Sequence, residues 1–175
     1  MRAGLALIAV LALCVTPVVA QGKAKAGAVP QGVAALAMCE GFALGEAAAY
    51  DAAVEQGWET YEDDSESPYV RSYSGGKDLP GIGHASMFAL VEDYPQQTFG
   101  YCRVDVSEVT GDADKAVQDI QALDRYEGQS ILNGQGSFAS LTGKTDKNRM
   151  LLAHSTATNF VIQLSIITPK AEADE

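Results

Sequence analysis

His84 and His154 are the only two histidines in the chain, and each stands near a serine, Ser86 in one case and Ser155 in the other. A serine hydrolase needs a nucleophile, a base and an orienting acid brought together in space. The chain has no G-x-S-x-G elbow, and His154 and Ser155, adjacent in a predicted strand, point to opposite faces. A small hydrolase built on His84 or His154 is therefore the competing reading. For a metal, the two histidines lack the helical i, i+4 spacing, and no third ligand is marked out. Asp112 and Asp114 open like a calcium loop, but Ala116 stands where the third oxygen ligand belongs. Helix capping by Asp112 is the better explanation. The sequence implies no metal and no cofactor.

The cysteines carry a different chemistry. Met1 and Arg2 precede an apolar run from Ala3 through Val15, then Pro17 and the small residue Ala20 before polar Gln21, which is the layout of a secretory signal peptide cut after residue 20. Leu13 before Cys14 does not suit a lipoprotein signal, and Pro17 interrupts a run barely long enough to span a bilayer. Cys14 leaves with the signal. Cys39 and Cys102 remain, an even count in a compartment where disulfides persist, so they are expected to pair. Two lone cysteines without neighbouring His make a poor metal site. High Ala and Gly content suggests a periplasmic destination in a bacterium, with secretion from another source as the alternative.

The stretch Gly75-Gly76-Lys77-Asp78-Leu79-Pro80-Gly81-Ile82-Gly83-His84 reads as a long hairpin connection, since no Gly-Lys-Ser/Thr opens a helix there. Mobile loops on a rigid scaffold can bind, which makes Lys77, Asp78, Leu79 and His84 candidate contacts. Trp58, the only tryptophan, is either a packing residue at a helix exit or an aromatic anchor. Tyr101 and Arg103 point away from the core side of their strand and could belong to a recognition face.

Those residues must be positioned by a folded domain. Residues 21–32 read as a flexible leader, 33–170 as one domain, and 171–175 as a frayed tail. A first helix is expected from Gly41 to Gln56 with Cys39 at its start, followed by an acidic loop from Glu62 to Glu66. Strands are expected at Tyr69–Tyr73, His84–Tyr94 and Thr98–Val106. In the last of these Gly100, Cys102, Val104 and Val106 share one face. Asp112 caps a second, amphipathic helix that ends by Gly128. Three more strands follow, at Gly136–Leu141, Arg149–Thr156 and Phe160–Ile167. The order suggests an αβββ-αβββ duplication within an α+β two-layer domain: an antiparallel sheet of five to six strands with two helices on one face.

The full chain has 12 Lys and Arg against 23 Asp and Glu, a net charge of −11. Removing the signal takes away Arg2 and leaves 11 against 23, or −12. Such a charge disfavours nucleic acid and anionic membranes. The expected function is that of an exported, non-enzymatic binding or accessory domain for a protein or cell-envelope partner. A periplasmic hydrolase and a small-ligand carrier are the alternatives.

Overall fold

The computed structural model describes residues 29–132 and 135–170. The expected signal peptide, the leader as far as residue 28 and the tail 171–175 lie outside them. The chain runs α1 (Gln31–Ala43), α2 (Ala49–Glu55), β1 (Glu59–Asp63), β2 (Val70–Leu79), β3 (Gly83–Asp93), β4 (Gln97–Val106), α3 (Ala113–Gln121), β5 (Tyr126–Leu132), β6 (Gly136–Gly143), β7 (Arg149–Thr156) and β8 (Phe160–Pro169). All eight strands form one antiparallel sheet in the order β1-β2-β3-β4-β8-β7-β6-β5. The α+β class and antiparallel sheet match expectation. The strand count exceeds five to six, and three helices stand in place of two.

Each half is a helix-led meander of four strands, and the halves join where β4 pairs with β8. The two strands missing from the sequence reading are the edges. β1 is Glu-Thr-Tyr-Glu-Asp, and its last two residues fall in the expected acidic loop Glu62 to Glu66, yet charge on a short edge strand is what keeps it from pairing with another chain. β5 begins only five residues after α3 ends, at Tyr126, within the expected end of the second helix at Gly128.

The single helix expected over Gly41–Gln56 is two helices. The chain leaves α1 at Leu44, and Gly45 takes a φ of +69°, in the left-handed region that glycine occupies without penalty. α1 also starts earlier, so Gln31 and Gly32 belong to the fold and Cys39 lies in the body of the helix. The glycine stretch is corrected too: Gly75 to Leu79 continue β2, and the connection to β3 is only Pro80-Gly81-Ile82.

Alternation in β4 is as expected. Gly100, Cys102, Val104 and Val106 are buried under α1, while Tyr101, Arg103 and Asp105 face the other way and are half-buried. Gly100 is needed there because a Cβ would stand 1.7 Å from the Ala43 carbonyl oxygen, so the end of α1 rests on bare backbone. From α1, Leu36, Cys39 and Phe42 meet Phe160, Ile162 and Leu164 of β8 in the core. α3 packs beside α1 and over β6 and β7; Asp112 accepts a hydrogen bond from the Lys115 amide at 2.9 Å and caps it.

The Cys39–Cys102 disulfide, with Cα atoms 5.3 Å apart, ties α1 to the central strand. A bridge closing a loop across 63 positions stabilises by about 4 kcal/mol on the chain-entropy account. At the far side, the Glu40 carboxylate accepts from Arg125 Nε at 2.9 Å, Arg125 Nη2 at 3.0 Å and the Tyr126 hydroxyl at 2.7 Å. That fork joins α1 to the first residue of β5, so the helix is fastened to both halves of the sheet.

Candidate interaction face

The three helices of the described residues lie on one side of the sheet, and among those residues the opposite side carries none. Its geometry follows from register. One row across the sheet reads Tyr61 (β1), Ser74, Phe88, Arg103, Gln163, Leu152, Ser140 and Gln129 (β5). The row beside it includes Leu90, Tyr101, Ser165 and Met150, and the row on the other side includes Val161, His154, Phe138 and Ile131. Phe88, Phe138 and Met150 are 43%, 39% and 47% exposed, values that a residue with a packing role on this side would not show.

Charge is nearly absent from the middle of this face. Across β4, β8, β7 and β6 the outward positions hold one ion pair, Arg103 with Asp105, joined by two hydrogen bonds of 2.6 Å. Arg103 also donates to Gln163 at 3.3 Å. The Asp105 carboxylate beside it holds the guanidinium above its ordinary range. Phe88 and Tyr101 stand side by side with ring centroids 6.5 Å apart. The acids sit at the border: Glu59 and Asp63 on β1, Asp78 at the end of β2, Glu92 near the end of β3 and Glu127 on β5.

The residues singled out from sequence divide between this face and the core. Tyr101 and Arg103 lie near its centre. Asp78 and His84 form an exposed pair at one corner, 2.7 Å apart. Leu79 and Trp58 are each 3% exposed and pack in the core, so neither is presented to a partner. Lys77 is on the helix side, where its ammonium donates to the Gln56 carbonyl and lies 6.0 Å from the Trp58 ring. Sequence reasoning missed Phe88, Leu90, Phe138, Met150 and Leu152. Their signal was present: β3 and β7 carry large apolar residues at odd and even positions alike, the pattern of strands covered on both faces.

His154 and Ser155 are not assembled as a hydrolase pair. His154 faces the open side, whereas Ser155 points to the helix side, donates to Asp114 at 2.5 Å and accepts from the Ser137 amide at 3.2 Å. The Ser137 hydroxyl, buried beside them, has no hydrogen-bond partner. A groove of about 540 Å³ runs along one end of the sheet between Tyr69, Val70, Glu92, Tyr94 and Lys170, and four smaller cavities measure 240 to 300 Å³. Neither histidine lines any of the five. Among the described residues no group of three His, Cys, Asp or Glu is placed to hold a metal, and no helix is long and apolar enough to cross a membrane.

The chain matches no known family model, and no curated protein or solved structure is significantly similar to it.

Proposed function

We propose that this chain is an exported, non-enzymatic binding domain whose working surface is the helix-free face of the sheet. One observation carries the reading: the centre of that face exposes aromatic and aliphatic side chains and only one charged pair, in a chain with 35 charged residues, 12 basic and 23 acidic. Charge depletion at the centre, aromatic enrichment and a polar rim are the anatomy of protein interfaces. An exposed sheet face with no partner is ordinarily polar, alternating with the buried side.

Export accounts for the disulfide, which persists in oxidising compartments, and for the charge pattern of residues 1–20. The carrier alternative needs a large apolar cavity. The groove of about 540 Å³ at the sheet end is instead open and superficial, continuous with the face through Val70 and Glu92.

The test is a photo-crosslinking amino acid placed at position 88 of the full chain in the exporting cell, with position 118, exposed on α3, as control. A discrete adduct from position 88 and none from 118 supports the reading; adducts from neither, or equally from both, contradict it.

A further inference from the structure

The open face does more than invite a partner; its charges select one. Resting on the reading above, we infer that the partner presents an apolar helix face bordered by Lys and Arg.

The acids on this side of the sheet mark out a boundary rather than a patch. Glu59 and Asp63 lie on one edge strand and Glu127 on the other, with Asp78 and Glu92 toward opposite ends of β2 and β3. No Lys occupies an outward position on the eight strands, and the one Arg there, Arg103, is already paired with Asp105. The centre is therefore close to neutral and its border is negative. A second copy would bring acidic border against acidic border, in a chain already at −11. Glu127 is already paired with Lys147 and Asp78 with His84, so a partner with a basic border gains attraction chiefly at Glu59, Asp63 and Glu92, within the roughly 8 Å over which exposed charges still interact at physiological salt.

Shape points to a helix. Seven spacings of about 4.8 Å make the face roughly 34 Å wide, close to the length of about 30 Å reached by a helix of 20 residues. The opposite face of these strands is covered by helices whose apolar side chains meet the sheet, and a sheet covered on both faces by helices is one of the few stable layer architectures. β3 and β7, apolar toward both sides, already have the composition for it.

Two helical peptides of about 20 residues, sharing one Leu/Phe stripe but bordered by Lys in the first and by Glu in the second, separate the possibilities when titrated into the isotope-labelled oxidised chain. NMR then reports where each binds. The Lys-bordered peptide is expected to shift the Phe88, Tyr101 and Leu152 amides and to bind about tenfold tighter than its Glu-bordered twin. Its affinity should fall severalfold between about 50 and about 300 mM salt, and a Glu59→Gln, Asp63→Asn, Glu92→Gln variant should narrow the preference. Equal binding of the two peptides, shifts confined to the helix side, no binding of the Lys-bordered peptide, or self-association through this face at the same concentrations would overturn the inference. A cellular adduct at position 88 with a partner lacking a basic border refutes the charge selection and leaves the docking face standing, whereas the absence of any adduct removes both.

Discussion

The same eight strands present two faces that solve opposite problems. Toward the helices, Cys102, Val104, Ile162 and Leu164 are fully buried, the disulfide ties α1 to β4, and among the described residues the core contains no charged side chain. Away from the helices, Phe88, Phe138 and Met150 stay exposed on β3, β6 and β7, and Tyr101 and Arg103 face the same way from β4, the strand that buries Cys102 and Val104. Burial on one side supplies the folding free energy, at about 25 cal/mol per Å² of apolar surface removed from water. Apolar surface left in water on the other side contributes nothing to folding until something covers it. The difference separates residues that hold the domain together from residues available for contact.

Breaking the comparison on its buried side should have the largest effects. Replacing Cys39 and Cys102 with Ala is expected to cost about 4 kcal/mol in denaturant unfolding, because the bridge restrains the unfolded chain across more than sixty residues. Leu36→Ala, fully buried between α1 and the sheet, should cost about 3 kcal/mol through lost transfer and cavity terms. Glu40→Ala removes the acceptor for both Arg125 and Tyr126 and should cost about 2 kcal/mol, chiefly through the unsatisfied buried phenol.

Two pH effects sharpen it further. Burial, with the Glu40 carboxylate as hydrogen-bond acceptor, holds the Tyr126 phenol well above its ordinary value. The folded chain therefore keeps a proton that the unfolded chain loses. This contribution is fully present below the ordinary tyrosine pKa of 10.0 and declines as pH rises above it. Tyr126→Phe should remove that part of the alkaline loss, read as the pH dependence of unfolding. The smallest effect is expected at the sheet end. There the hydrogen bond from Thr98, then that from Lys170, hold Asp93 below its ordinary 3.8. Its contribution is present above that value and is lost as pH falls through the depressed pKa. Thr98→Val should therefore shallow the acid limb slightly.

Legibility in the sequence followed the strength of local signals. β4, β7 and β8 were placed to within two residues because period-two alternation and bounding turns agree there. The Asp112 cap identified the start of α3 for the same reason. The division of the first helical region at Gly45 was illegible, since an Ala-rich stretch satisfies helical propensity on both sides of the break. Gly75-Gly76 resembled a turn because glycine is the strongest local punctuator, yet sheet pairing with β1 and β3 overrode it. As for the face, alternation alone directed Tyr101 and Arg103 outward. Their neighbours Phe88, Gln163 and Leu152 come from three other strands. Only register brings them together, and a single sequence does not specify register between halves.

The most direct test of the contrast between the two faces is the stability of the oxidised Phe88→Ser, Phe138→Ser, Met150→Ser variant, measured by equilibrium denaturation against the unsubstituted chain. Exposed residues that hold nothing together should together change stability by no more than about 1.5 kcal/mol, with an unaltered denaturant slope. A loss of about 4 kcal/mol or more, comparable to removing the disulfide, would show that these side chains belong to the folding core and would contradict the account.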